Sequence, residues 1–170
     1  VYIGMDHFAK PDDELARAQR DGTLYRNFQG YSTHSNCDLV GMGITSIGMV
    51  GPTYAQNVKT LEEYYERVDA GRLPLFKGLT LNRDDEIRRD VITRLICHFR
   101  LRFADVEQRW GIRFDDYFGD ELGRLGQMAA DELLRVGPEG IEVLPRGRFL
   151  IRNVCMVFDA YLRSAAVQQR

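Results

Sequence analysis

The segment from Asn27 to Gly51 constrains the fold of this chain most, because five glycines occur in a stretch with almost no charge. Asp38 is its only acidic residue, and it contains no lysine or arginine. Since glycine has no Cβ, a neighbouring chain or a ligand can approach its backbone closely. We interpret the segment as a buried strand that is either one wall of a cofactor pocket or an ordinary core strand with bulges. The spacing alone favours the core strand.

The first 80 residues are predicted to combine short strands with two helices. One helix is predicted over residues 11–21, where a proline suits the first position and Gly22 suits the end. The other is predicted over residues 59–69, where Thr60 and Glu63 have the spacing of a capping box. A short strand that leaves into a turn is predicted over residues 1–8, and further strands over residues 24–29, 39–50 and 73–81.

Helices are predicted to dominate after residue 80, where we place a domain boundary. Asn82 is predicted to cap a long helix over residues 83–100. Apolar residues repeat along one face of this helix and predict a core-facing stripe made of Ile87, Val91, Leu95 and Phe99.

The remaining residues are predicted to form three more helices and a hairpin. The helices are predicted over residues 104–110, 114–134 and 147–163, and the hairpin over residues 136–144. The last helix is predicted to turn five side chains inward: Ile151, Val154, Cys155, Phe158 and Leu162. This order of elements resembles a winged-helix arrangement, so the chain is predicted to be α+β, with domains at residues 1–80 and 81–170.

A winged-helix arrangement allows an alternative function, the binding of nucleic acid or of another protein. The predicted helix before the hairpin, with Arg113 included, carries six acidic side chains against two arginines. Phosphates would be repelled by such a helix. The whole chain has 23 basic and 25 acidic residues, which gives no electrostatic reason to expect nucleic acid or an anionic membrane as partner.

Cysteine and histidine are too scattered to predict a metal site or a self-contained catalytic group. These residues are Cys37, Cys97, Cys155, His7, His34 and His98, and none has a partner at the spacing of metal ligands. Each histidine is better explained as structural or solvated, and the alternative for Asp6 and His7 is a ligand position at the end of the first predicted strand. A sparse, odd set of cysteines is typical of a reducing cytoplasm, and no apolar run approaches the roughly 20 residues that span a bilayer.

Four segments carry a resemblance to a known family. They are IGMDHFAKPDDELARAQRDGTLYRNFQGY, DLVGMGITSIGMVG, RDDEIRRDVITRLICHFRL and RGRFLIRNVCMVFDAYL. On these residues the chain resembles the oxygen-independent coproporphyrinogen III oxidases, which are radical S-adenosylmethionine enzymes of haem synthesis. The resemblance covers nearly the whole chain.

The resemblance implies that the chain is the C-terminal portion of such an enzyme. Residues 1–80 would be the end of a radical S-adenosylmethionine α/β partial barrel, and residues 81–170 a mainly helical, winged-helix-like domain. The family binds its 4Fe–4S cluster through a C-x3-C-x2-C motif that this chain lacks. We therefore expect an upstream domain of the same protein to hold the cluster, and we expect the fragment alone to be inactive and to bind no cofactor tightly. The full-length enzyme is expected to be a cytoplasmic monomer.

The resemblance also implies residues that bind S-adenosylmethionine. Phe28 and Gln29 match a Phe-Gln pair at the cofactor pocket of the family, and Ile47 matches an isoleucine that lines it. An aromatic and an aliphatic side chain can pack on adenine, and a glutamine amide can hydrogen-bond a polar edge.

The substrate implied by the resemblance is coproporphyrinogen III, of which two propionate side chains are oxidatively decarboxylated to vinyl groups. Because this substrate carries four carboxylates, arginines near it are expected to be useful. Arg88, Arg89 and Arg152 are candidates, and the alternative is that they are solvated helix arginines.

Overall fold

The computed structural model describes residues 1–35 and 37–162, in which helices are combined with short antiparallel strands. The strands are β1 Tyr2–Gly4, β2 His7–Phe8, β3 Tyr25–Asn27, β4 Gly30–Ser32, β5 Ile47–Val50, β6 Thr53–Asn57, β7 Leu75–Thr80, β8 Arg100–Arg102, β9 Leu134–Gly137 and β10 Gly140–Val143. The helices are α1 Glu14–Asp21, α2 Leu61–Asp69, α3 Arg83–His98, α4 Phe103–Trp110, α5 Phe114–Arg124, α6 Gly126–Ala130, α7 Pro145–Arg148 and α8 Ile151–Met156. The predicted mixture of helix and strand is confirmed. No helix in the described ranges is long and apolar enough to cross a membrane.

The chain packs as two compact units, Val1–Ser35 together with Ile87–Arg170, and Asn36–Glu86. We call them the helical unit and the sheet unit. Ile3, Ala16 and Leu24 are buried in the same core as the helices that follow residue 87. The start of the chain therefore packs with its end, which the sequence did not indicate. The domain boundary near residue 80 stays a prediction.

The long helix α3 supplies the centre of the core of the helical unit. Its predicted apolar stripe is buried, as expected from side chains spaced four residues apart on one face. Asn82 caps the helix as predicted: its Oδ1 accepts from the backbone N–H of Asp85 at 3.0 Å. The Asp85 carboxylate accepts from the N–H of Asn82 at 3.0 Å in return.

Two predicted long helices are each broken into shorter pieces. The helix predicted over residues 114–134 is divided into α5 and α6, and Phe118 has non-helical backbone angles within α5. Glycine weakens a helix interior, and three glycines occur in this stretch. The last predicted helix is divided into α7 and α8, and Leu162, predicted to face inward, is exposed. Residue 163 of that prediction and the end of the predicted second domain lie outside the described residues.

The predicted hairpin near the end of the chain is present as β9 and β10. Strand β8 pairs with the other side of β10, which gives a three-stranded antiparallel sheet in the order β8-β10-β9. Leu101, Leu134 and Ile141 of this sheet are buried in the core of the helical unit.

The first eight residues form a hairpin: the predicted strand and the turn after it are present, but the second strand, β2, was not predicted. Strands β1 and β2 pair antiparallel, and Met5 and Asp6 between them both have positive φ angles, 47° and 65°. Two consecutive left-handed residues are typical of a type I′ turn. Asp6 suits this turn, because aspartate tolerates left-handed backbone, whereas Met5 does not mark it. Strands β3 and β4 form a second hairpin, with Asn27 opposite Gly30.

The sheet unit contains an antiparallel sheet in the order β5-β6-β7. The strand predicted over residues 39–50 is mostly wrong, because β5 begins only at Ile47 and Leu39 forms an isolated bridge with Met49. The preceding loop is held by the buried side chain of Asn57, whose Nδ2 donates to the carbonyls of Gly41 and Gly43 at 3.0 and 2.8 Å.

The glycines of this loop allow one backbone to lie directly on another. A Cβ added to Gly48 would lie 2.8 Å from the carbonyl oxygen of Leu39, and one added to Gly41 would lie 3.0 Å from the backbone of Ile47. Among the described residues, the backbone that lies against these glycines belongs to this chain. The segment is also less buried than predicted, since Met49 is the buried residue of β5.

Helix α2 begins as its sequence predicts. The backbone N–H of Glu63 donates to the Thr60 hydroxyl at 3.4 Å, and that hydroxyl donates to the Glu63 carboxylate at 3.3 Å. Several apolar side chains of the sheet unit are nevertheless exposed, among them Leu61, Tyr65, Val68, Phe76 and Leu79.

Candidate functional site

The turn between β3 and β4 carries two of the predicted cofactor-binding residues, Phe28 and Gln29. The Asn27 side chain shapes this turn, because its Oδ1 accepts from the backbone N–H of Gln29 at 2.8 Å. The ring of Phe28 is 54% exposed, and Gln29 is also exposed. The turn therefore carries two consecutive exposed residues, one aromatic and one with an amide, at the surface of the helical unit.

The imidazole of His7 lies beside this turn. Its Nε2 would be 3.8 Å from a Cβ built on Gly30, the residue that directly follows Gln29. Its Nδ1 is 2.8 Å from the carbonyl oxygen of Met5. Because a carbonyl only accepts, Nδ1 carries the proton of this hydrogen bond, and Nε2 of the neutral ring is an acceptor.

Tyr31, in β4, contacts the His7 imidazole and anchors the strand that follows the turn. Its ring contacts that of His7 edge-on at 5.2 Å between centroids. Its hydroxyl donates to the carbonyl oxygen of Ile96 in α3 at 3.2 Å. Gly4 is required here, because a Cβ at this residue, whose φ is 136°, would collide with the Tyr31 hydroxyl. Burial raises the pKa of Tyr31, with the neighbouring Cys97 adding to the effect, so the phenol stays neutral.

The thiols under this region are inert. Burial raises the pKa of Cys97 to about 12 and the pKa of Cys155 to about 12, with Cys97 adding to the shift at Cys155. A thiol at neutral pH is then protonated and unreactive. Both cysteines are buried in the core, which confirms their predicted behaviour as small hydrophobes.

The third predicted cofactor residue, Ile47, is the first residue of β5 and is half-buried opposite Gln56. It belongs to the sheet unit, whereas Phe28 and Gln29 belong to the helical unit. The structure brings Phe28 and Gln29 together on one turn and describes Ile47 within its own unit.

Arg88, a predicted substrate residue, is occupied by partners inside the helical unit. Its guanidinium donates to the Glu121 carboxylate at 2.9 Å and to the carbonyl oxygen of Phe158 at 3.1 Å. It also lies over the ring of Phe118, 5.3 Å from the centroid. The side chains of Arg88 and Glu121 are only 12% and 2% exposed. Arg88 is thus not the solvated arginine of the alternative interpretation, and this geometry favours a structural role.

The other two candidate arginines differ in their exposure. Arg89 of α3 is half-buried, and Arg152 of α8 is exposed. Contact of these arginines with substrate stays a prediction. In the part of the chain that the structure describes, no three side chains of histidine, cysteine, aspartate or glutamate are grouped as a metal site.

The sequence of this chain is similar to a known family and to several named proteins. Residues 81–150 match the family described as the HemN C-terminal domain. The chain is 56% identical to an oxygen-independent coproporphyrinogen III oxidase from Salmonella typhimurium and 54% identical to one from Escherichia coli, in each case over 99% of this chain and 37% of the relative. A relative of the same name from Synechocystis is 53% identical over 99% of this chain.

The fold is also similar to a solved structure. That structure is described as coproporphyrinogen III oxidase (HemN) from Escherichia coli, a radical SAM enzyme. It has a TM-score of 0.91 and 55% sequence identity, over 95% of this chain and 37% of that one. The chain thus spans little more than a third of the length of these relatives. With more than half of the aligned positions identical over almost the whole chain, the predicted resemblance to the oxygen-independent coproporphyrinogen III oxidases is confirmed.

Proposed function

We propose that this chain is the C-terminal portion of an oxygen-independent coproporphyrinogen III oxidase, and that it helps to hold S-adenosylmethionine and the porphyrinogen substrate. The observation that carries the proposal is the identity of 55% with a radical SAM enzyme at a TM-score of 0.91. The exposed ring and amide of the β3–β4 turn support it, because such a pair suits a flat base with polar edges.

The reaction of the full-length enzyme is the oxidative decarboxylation of two propionates of coproporphyrinogen III to give protoporphyrinogen IX. When bound, S-adenosylmethionine and a 4Fe–4S cluster supply the radical that removes hydrogen from a propionate side chain. The cysteines of this chain lack the spacing that holds such a cluster, so residues elsewhere in the protein hold it. This chain contributes binding, orientation and exclusion of water.

Three residues are assigned to the cofactor. Phe28 packs against the adenine, and Gln29 hydrogen-bonds a polar edge next to it. Ile47 supplies an aliphatic contact. An exposed Phe28 ring and an exposed Gln29 amide are the surface that this assignment requires.

The substrate carboxylates are assigned to arginines. Arg152 is the strongest candidate, because it is exposed and no partner is recorded for it among the described residues. Arg89 is a weaker candidate. Arg88 is the weakest, since contact with substrate would compete with Glu121 and Phe158.

The finer architecture is part of the same proposal. Residues 1–80 complete the radical S-adenosylmethionine partial barrel, and residues 81–170 form the winged-helix-like domain that follows it in sequence. The three-stranded sheet β8-β10-β9 and the helices α3, α4 and α5 support the second assignment. The full-length enzyme is proposed to be a cytoplasmic monomer that binds no nucleic acid.

Anaerobic reconstitution with iron and sulfide tests the proposed division of labour. The full-length protein should show the electron paramagnetic resonance signal of a reduced 4Fe–4S cluster and should decarboxylate coproporphyrinogen III. The 170-residue chain should show neither. A stable cluster signal and cleavage of S-adenosylmethionine by the chain alone would contradict the proposal.

The arginine assignment has its own test in the full-length enzyme. Arg152→Ala should raise the KM for coproporphyrinogen III and leave the Kd for S-adenosylmethionine unchanged. Arg113→Ala is a matched control, because Arg113 is an exposed arginine of the same unit that pairs with Asp116. Equal effects of the two substitutions would remove Arg152 from the site.

A further inference from the structure

We propose that His7 is a further binding residue for S-adenosylmethionine, and that its Nε2 accepts a hydrogen bond from a hydroxyl or amino group of the cofactor held on the β3–β4 turn. This inference rests on the proposed function, because it takes Phe28 and Gln29 as the neighbouring contacts. The family resemblance did not assign His7, and sequence spacing favoured a structural or solvated role.

A backbone carbonyl sets the orientation of the His7 ring. The Nδ1–H of His7 donates to the carbonyl oxygen of Met5 at 2.8 Å, and this fixes both the tautomer and the ring orientation. The acceptor lone pair of the neutral ring is then on Nε2. That nitrogen is on the side of Gly30, 3.8 Å from where a Cβ of that residue would be.

The elements that hold the His7 ring are rigid. His7 is the first residue after the type I′ turn, whose two left-handed residues set the direction of β2. The edge-on contact with Tyr31 holds the plane of the ring. Tyr31 is in turn tied to α3 through its hydrogen bond to Ile96. An imidazole held by a backbone carbonyl and a braced aromatic ring is preorganised for a ligand.

The Nε2 acceptor of His7 is chemically complementary to the donor groups of S-adenosylmethionine. His7 is exposed, so its Nε2 is accessible from the surface that also carries Phe28 and Gln29. S-adenosylmethionine presents ribose hydroxyls, an adenine amino group and an ammonium group, all of which donate hydrogen bonds. A neutral acceptor also suits a ligand that carries a sulfonium charge, because it adds no repulsion.

Two substitutions separate the functions of the two ring nitrogens. His7→Asn can keep the hydrogen bond to Met5 through its amide but has no group at the position of Nε2. His7→Gln can place an amide oxygen near the position of Nε2 but loses the link to Met5. Lys10→Ala is the control, because Lys10 is an exposed residue that follows the same hairpin.

Isothermal titration of the full-length holoenzyme with S-adenosylmethionine, under anaerobic conditions, measures the effect. One neutral hydrogen bond is worth about 0.5–1.5 kcal/mol, which corresponds to roughly 2- to 12-fold in Kd. We expect His7→Asn to weaken binding by that factor, His7→Gln to recover at least half of the loss in free energy, and Lys10→Ala to change nothing. Thermal unfolding of each variant, measured in parallel, confirms that the protein is folded.

The outcomes distinguish this inference from the proposed function. A purely structural His7 predicts that His7→Asn binds as well as the wild type and that His7→Gln is the more damaged variant. Either result overturns the inference. Gln29→Ala is titrated in the same series: if it weakens binding while His7→Asn does not, only the inference about His7 fails. If neither variant changes the Kd, the cofactor assignment of the turn fails as well.

Discussion

The buried pair of Arg88 and Glu121 makes a demanding test of the packing of the helical unit. Glu121→Ala would remove the carboxylate that accepts from Arg88 at 2.9 Å, at a site where the two side chains are 12% and 2% exposed. Removing one partner of a buried pair typically costs about 3–5 kcal/mol. Arg88 would keep its hydrogen bond to Phe158 and its contact with the Phe118 ring, so we expect the lower end, about 3 kcal/mol.

The assay is urea unfolding of the 170-residue chain, followed by tryptophan fluorescence. Trp110 is the single tryptophan of the chain and lies in the helical unit, where its Nε1 donates to Asp90 at 3.0 Å. Asp116→Ala is the control, because it removes a comparable pair with Arg113 in which both side chains are at least 75% exposed. Exposed pairs contribute about 0–1 kcal/mol.

A double variant separates loss of charge compensation from loss of packing. Arg88→Met with Glu121→Leu removes both charges and should be more stable than Glu121→Ala, because no unpaired charge remains buried. If Glu121→Ala loses less than about 1 kcal/mol, the range of an exposed pair, the pair is solvated and the structural role assigned to Arg88 is wrong.

Three further predictions concern the rest of the chain. Leu95→Ala, in the buried stripe of α3, should lower the free energy of unfolding by about 2–5 kcal/mol in the same assay. A decrease below about 0.5 kcal/mol would contradict the burial of this face of α3. Iodoacetamide at neutral pH should alkylate the exposed Cys37 in the folded chain and should reach Cys97 and Cys155 only after unfolding, as read by mass spectrometry. Limited proteolysis should cut first within residues 70–82 if the predicted domain boundary is correct, and a single resistant unit across that range would contradict it.

The elements that the sequence predicted well are those determined by local interactions. The stop of α1 at Gly22, the capping box of α2 and the apolar stripe of α3 each depend on residues within one or two helical turns. Such signals can be read without knowing the rest of the fold.

The elements that were missed depend on contacts distant in sequence. The loop before β5 is held by the side chain of Asn57, which lies 14 to 16 residues after its partners. Ile3 is buried in the same core as α3, and no periodicity within residues 1–8 indicates it. The turn at Met5 and Asp6 was predicted, but the pairing of β1 with β2 that follows from it was not.

The candidate site was predictable in part, and for a different reason. Phe28, Gln29 and Ile47 came from family resemblance, because a Phe-Gln pair and an isoleucine carry no chemical signal by themselves. His7 had no metal or catalytic partner in sequence, and only the fold places its ring next to Gly30. The sequence indicated only that His7 lies near the end of a strand, where ligands of an α/β barrel usually bind.

The central claim is that the turn carrying Phe28 and Gln29 binds S-adenosylmethionine, and calorimetric titration of the full-length enzyme tests it most directly. Gln29→Ala removes polar groups from a binding contact, which typically costs about 1–3 kcal/mol, or roughly 5- to 140-fold in Kd. Ile47→Asp should weaken binding further, because it places an acid against the apolar part of the ligand. Gln127→Ala, at an exposed glutamine of α6, should leave the Kd unchanged. An unchanged Kd in both the Gln29 and Ile47 variants would contradict the account.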